Sequence, residues 1–149
     1  MKERIDYASA SPAGLAAMRA LERHLQSSTL GHCLLELVKI RVSQLNGCAY
    51  CIDMHAKVAR AHGETEQRIY ALSAWRETPF FDERERSALA WTEALTQIQG
   101  GVPDDLYAEV RQHFDEAQLV DLTYAVVAIN GWNRIAIAFR KVPGTYQPA

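Results

Sequence analysis

The stretch Leu37-Val38-Lys39-Ile40-Arg41-Val42-Ser43-Gln44-Leu45-Asn46-Gly47-Cys48-Ala49-Tyr50-Cys51-Ile52-Asp53-Met54-His55 decides how this chain is read. Its first half continues an apolar run that begins near Leu30 and holds helical spacing to Leu45. Asn46-Gly47 is a helix C-terminal pair, because glycine accepts the left-handed backbone that ends a helix. A CxxC follows at once and opens the next helix, which runs to Gly63. The pattern is helix, tight stop, helix, with two thiols at the second start.

The helix signals continue in both directions from this stretch. Ser11-Pro12 reads as an N-cap followed by proline at the first helical position, with Leu15, Met18, Leu21 and Leu25 behind it. Thr65 starts a short helix through Trp75, and Pro79 breaks the chain. Asp82 and Glu85 have capping-box spacing, ahead of Ala88, Trp91, Leu95 and Ile98 on one stripe that Gly100-Gly101 ends. Pro103-Asp104 opens another short helix, and Asp115 with Gln118 caps a long final one to about Phe139. No segment alternates apolar and polar residues between turn signals. The expected fold class is all-α, one domain over residues 1–149, with seven helices give or take one.

Composition narrows the function. Hydrophobic residues make up 48% and charged residues 23%, which suits a globular core and excludes disorder. A formal net charge of -2 without a dense Lys/Arg run gives no reason for a nucleic-acid partner. Residues 1–10 lack the apolar core of a signal peptide, and the apolar stretch Ala125–Ile129 is too short to span a bilayer. A cytoplasmic protein without a membrane association is expected. Three cysteines in such a compartment do not read as a disulfide framework. Cys33, in an apolar run, is expected to be a small buried hydrophobe.

The CxxC carries the chemistry. Residues three apart on a helix share a face, so Cys48 and Cys51 can bring their sulfurs to bonding distance. A helix N-terminus favours negative charge and eases thiol ionisation. His55 falls on the same stripe, four residues after Cys51, where an imidazole can take a thiol proton at neutral pH. His24, His32, His62 and His113 lack this spacing and read as solvated or satisfied. For Glu36 the residues alone favour a solvated stripe of His32, Glu36, Lys39 and Ser43. A zinc site on Cys48, Cys51 and His55, with Glu36 or Cys33 as fourth ligand, is the alternative. Structural zinc usually draws ligands from two knuckles, and the chain has no second CxxC. A second alternative is a redox sensor whose disulfide alters a partner surface without turnover.

Glu36, Cys48, Cys51 and His55 together form a Glu-x11-Cys-x2-Cys-x3-His pattern. With the text around it, the pattern resembles the core motif of the alkylhydroperoxidase D-like family within the carboxymuconolactone decarboxylase superfamily. The resemblance is specific over about residues 30–64 and continues more loosely to the final helix with Asn130, Asn133 and Arg134. It implies a compact helical fold, homo-oligomers (often trimers or hexamers), and a thiol-dependent peroxidase. In such an enzyme Cys48 and Cys51 would cycle between dithiol and disulfide while Glu36 and His55 relay protons. A small-molecule hydroperoxide and an external dithiol reductant would be the partners. The best-studied branch has histidine between the cysteines where this chain has Tyr50. The decarboxylase branch lacks the CxxC, so the resemblance implies redox chemistry.

Two arguments bear on which thiol attacks. Exposure and the helix end favour Cys48, whereas the spacing to His55 favours Cys51. The reading taken is Cys51 as the peroxide-reactive thiol and Cys48 as the more exposed resolving one. Trp75, Trp91 and Trp132 are expected to anchor core or interface. Asn130, Asn133 and Arg134 are expected to bond across helices or subunits. No cofactor is implied, since Gly100-Gly101 lacks the pattern of a phosphate-binding loop.

Overall fold

The computed structural model describes residues 2–148. Among them are eight α-helices and one 3-10 helix, with no strand: α1 (Tyr7–Ala10), α2 (Pro12–Gln26), α3 (His32–Asn46), α4 (Ala49–Ala61), α5 (Glu66–Ala71), the 3-10 helix Leu72–Glu77, α6 (Glu83–Thr96), α7 (Asp104–Val110) and α8 (Glu116–Phe139). The all-α expectation and the helix count hold. The additional element is α1, a single turn capped by the Asp6 carboxylate, which accepts from the backbone of Ala8 and Ser9. The segment from Thr65 to Trp75 divides, because non-helical backbone at Ala74 interrupts the 3-10 turn after α5.

The two capping boxes form as their spacing requires. Asp82 and Asp115 each accept from the backbone three residues on, and Glu85 and Gln118 reach back. Such reciprocal caps satisfy donors that a helix start otherwise leaves bare.

α3 lies at the centre and packs against α4, α6 and α8. Leu34, Leu35, Leu37, Val38, Ile40 and Val42 are all buried, which is why its sequence reads apolar around most of the circumference. Leu37 and Ile40 pack with Leu72, Trp75, Phe81 and Leu89, while Val38 and Val42 join the larger core with Leu122, Val126 and Ile129 of α8. Trp75 and Trp91 are buried core residues.

The end of α3 sets the position of α4. Gly47 adopts the left-handed conformation (φ 68°), and its N–H closes onto the carbonyls of Ser43 and Gln44. The next N–H, from Cys48, bonds Ser43 O at 2.9 Å, so the chain reverses within two residues. Asn46 locks the corner by donating to Asn130 Oδ1 and Asn133 Oδ1, both at 2.9 Å. Asn133, fully buried, donates to Ser43 Oγ, and Asn130 reaches Thr96 on α6. The expectation that these asparagines bond across helices is met, and Arg134 braces Asn130 from one turn below.

Candidate thiol site

Cys48 is the N-cap of α4 rather than its first helical residue, and its sulfur accepts from the Cys51 N–H at 3.4 Å. The two cysteines are joined as a disulfide, with Cα atoms 5.4 Å apart. That separation lies inside the range a disulfide accepts, so one turn at the helix start supplies the bridge. Cys33 is the remaining free thiol, and it is exposed. The expectation of a buried Cys33 is therefore corrected: it sits in the first turn of α3, before the helix enters the core.

A second correction concerns Cys48. It is 1% exposed and Cys51 is 2% exposed, so Cys48 is not the more accessible thiol. Both sulfurs pack into the main core cluster. Cys51 also borders a cavity of about 720 Å³, and Cys48 does not. The physical reason is the corner at Gly47: it folds the N-cap back under α3 and α8 and turns the next face of α4 toward open space.

His55 follows one turn after Cys51, is buried, and lines the same cavity. Its Nδ1 lies 2.7 Å from Glu36 Oε2. Glu36 is 3% exposed, which overturns the reading of its stripe from the residues alone. Lys39 and Ser43, the neighbours on that stripe, are buried too, and only His32 is solvent-exposed. The stripe faces a polar seam between helices, where each group has a partner. Burial pushes the Glu36 carboxyl up, but the hydrogen bond from His55 and the charges of His55 and Lys39 together outweigh it, leaving the group below its ordinary value. An ionised carboxylate only accepts, so His55 carries its hydrogen on Nδ1. That leaves Nε2 as the basic nitrogen of the ring.

The rest of the cavity wall combines apolar and polar groups. Leu35, Met54 and Trp132 supply apolar surface, and Tyr50, the residue between the cysteines, borders it as well. Trp132 does more than anchor the core: its indole N–H donates to Glu22 at 3.1 Å. His32 and His62, which spacing to the thiols does not single out, stack with ring centroids 4.0 Å apart at the cavity edge. The signal for them is tertiary, since they come from α3 and the C-cap of α4. The chain's last described residues also reach the cavity, through Tyr146 and Pro148.

The arrangement brings together a disulfide, a buried imidazole–carboxylate pair and a cavity of small-molecule size bordered by Cys51 and His55. Residues 9–94 match the Carboxymuconolactone decarboxylase family. An uncharacterized protein of Bacillus subtilis, YdfG, is 49% identical over 139 residues, 93% of this chain and 95% of its own length. The structure of a protein of unknown function from Agrobacterium tumefaciens, ATU0492, provisionally described as the antioxidant defence protein AhpD, superposes with a TM-score of 0.93. It is 46% identical and the match covers 97% of this chain and 100% of that one. A peroxidase-related protein of Ralstonia eutropha with an alkylhydroperoxidase AhpD core shares the fold at a TM-score of 0.83, with 18% identity over 93% of this chain and 74% of that one. The chain belongs to the carboxymuconolactone decarboxylase family and, within it, to the proteins of alkylhydroperoxidase D-like type.

Proposed function

We propose that the protein is a thiol-dependent peroxidase of the alkyl hydroperoxide reductase type, cycling Cys48 and Cys51 between dithiol and disulfide with Glu36 and His55 as its proton relay. One observation carries the reading: the Cys48–Cys51 disulfide and the Glu36–His55 pair meet at one cavity, with Cys51 and His55 in its wall. A bare structural disulfide needs neither a buried base nor an orienting carboxylate beside it.

The cycle starts from the dithiol. His55 Nε2 takes the Cys51 proton, and the thiolate attacks the O–O bond of a hydroperoxide. Sulfur gains one oxygen as sulfenic acid, and the departing alkoxide leaves as alcohol with the proton held by His55. The Cys48 thiol then displaces water from the sulfenic sulfur and closes the disulfide. An external dithiol, free or on a protein, reopens it by exchange and is itself oxidised. Homo-oligomeric assembly, implied by the family resemblance, and the cytoplasmic setting expected from the sequence complete the reading.

The cavity volume of about 720 Å³ is in the range of small-ligand sites and suits an organic hydroperoxide. A general disulfide oxidoreductase is the second reading, but it would leave the small-molecule cavity beside Cys51 without a role. The test is consumption of an organic hydroperoxide with dithiothreitol as donor. Turnover by the wild type that is lost in both Cys48→Ser and Cys51→Ser supports the proposal. Reversible oxidation of the pair without hydroperoxide consumption would sink it.

A further inference from the structure

Glu36 has a second partner besides His55. Its Oε1 lies 3.5 Å from Lys39 Nζ. Lys39 is itself 4% exposed, and its ammonium reaches Glu22 Oε2 at 2.8 Å. Glu22, on α2, is seated from the other side by the Trp132 indole N–H, which donates to Oε1. Glu22, Lys39, Glu36 and His55 therefore run in one unbroken line from α2, across α3, to the thiol helix α4. All four border the cavity beside Cys51.

Stability alone gives little reason for such a line. Buried ion pairs and triads are often replaced by apolar residues of equal volume with no loss, since desolvation offsets the attraction. The charge count suggests another role. With His55 neutral, the line holds two carboxylates and one ammonium. When His55 accepts a proton, the line becomes neutral. The site is built one positive charge short of balance, and the thiol proton supplies the difference.

We propose that Lys39 and Glu22 are positioning residues of the thiol site: Lys39 fixes the carboxylate that orients His55, and Glu22 fixes Lys39, so that charge on α2 tunes the thiol on α4. The inference rests on the reading of Cys51 and His55 as thiol and base. Other ionisable groups facing the cavity are Arg19 from α2, His32 from α3, and Tyr50 and His62 from α4 and its cap. Tyr7 of α1 and Tyr146 near the chain end complete the set. Among the described residues none of these bonds to the line, though the His32 charge acts on Glu36 through space.

The experiment measures the pH dependence of alkylation at Cys51 in the fully reduced, full-length protein, peptide by peptide, using iodoacetamide. Exposed Cys33 serves as the internal reference. Removing a nearby cation raises the pH at which an acid ionises, and removing a nearby anion lowers it. Lys39→Met is expected to move the Cys51 midpoint up, since the cation held against Glu36 and His55 is lost. Glu22→Gln is expected to move it down, Lys39→Arg to restore it, and Cys33 to stay in place. A packing role would lower rates without opposite displacements. Midpoints that stay fixed, or move the same way in both variants, overturn the proposal. Should Lys39→Met fail to fold, the isosteric Glu22→Gln, whose side chain is 19% exposed, still tests the sign. No peroxide enters the measurement. Opposite displacements in a protein that consumes no hydroperoxide would refute the peroxidase reading and keep this one.

Discussion

His55 Nδ1 lies 2.7 Å from Glu36 Oε2, and both side chains are buried on facing surfaces of α4 and α3. The contact commits the Nδ1 hydrogen to the carboxylate and leaves Nε2 basic. His55→Phe removes the base, and Glu36→Gln removes the charge that stabilises imidazolium. Each is expected to slow hydroperoxide turnover by ~10² or more, the usual scale for an acid–base group. Steady-state rates with a dithiol donor at neutral pH check this, and full activity in either variant would leave a bare dithiol without a relay.

The order of the thiols can be read from single turnovers. Cys51 borders the cavity and Cys48 packs behind it, so Cys51 is expected to meet the peroxide. Reduced Cys48→Ser should then accumulate a sulfenic acid at Cys51 that a dimedone probe traps, because the resolving thiol is gone. Reduced Cys51→Ser should trap nothing at Cys48. Mass spectrometry of the labelled peptides distinguishes the two, and the reverse labelling would exchange the roles.

Much of the fold is legible in the order of the residues. Asn46-Gly47 places the corner, and the spacing of Cys48 and Cys51 gives the disulfide, with His55 on the same cavity wall as Cys51. Glu36 is not legible from its own helix. α3 is apolar nearly all round, and its one polar stripe reads the same whether it faces solvent or a buried seam. The groups that make its burial tolerable, Glu22 behind Lys39 and His55 opposite, come from α2 and α4 and leave no periodic trace in α3. Cys33 and Cys48 lie at depths opposite to expectation for a related reason. Local hydrophobicity says that a residue suits a core, while the angle at which the helix enters the bundle decides whether it reaches one.

Acid should weaken the fold through two carboxylates. Glu36 is held below its ordinary value of 4.5 by the hydrogen bond from His55 and the charges of His55 and Lys39, against the opposing and individually largest effect of burial. Glu93 is held below it as well: burial raises it, but the Trp75 indole N–H and the Arg76 and Arg41 guanidiniums more than compensate. A carboxyl whose folded value is depressed binds its proton more readily in the unfolded chain. Its contribution is complete above the ordinary range and is lost as pH falls through that range toward the folded value. Urea midpoints are expected to be level near neutrality and to fall below about pH 4.5. Glu93→Gln should flatten that fall, and an unchanged acid slope would remove Glu93 from the explanation.

Asn133 ties the corner before the thiols to α8. It is fully buried, accepts from Asn46 and donates to Ser43 Oγ. Asn133→Ala removes both bonds, leaving Asn46 with Asn130 and Ser43 Oγ with the Lys39 carbonyl, and two buried hydrogen bonds lost together cost roughly 1–3 kcal/mol. The loss should appear as a lower urea midpoint with an unchanged denaturant slope. A midpoint within error of the wild type would mean that water or a rearranged Asn46 replaces the bonds.

The segment after α8 folds back over the thiol helix. Lys57 Nζ reaches the carbonyls of Gly144 (3.4 Å) and Tyr146 (3.2 Å), and the Gly144 N–H donates to Asp53 Oδ2 at 3.0 Å. Lys57 and Asp53 are themselves paired at 2.9 Å, so one half-buried ion pair on α4 holds the strap whose Tyr146 and Pro148 border the cavity. A single pair still open to solvent on one side is weak, which makes the strap the easiest part of the wall to lift. Lys57→Ala should therefore speed trypsin cleavage near Lys141 several-fold and leave the core helices intact. It should also speed reduction of the Cys48–Cys51 disulfide by a dithiol protein more than reduction by dithiothreitol, because only the larger donor needs the strap moved. Equal acceleration of both donors, or of neither, would show that the route to Cys51 lies elsewhere along the cavity rim.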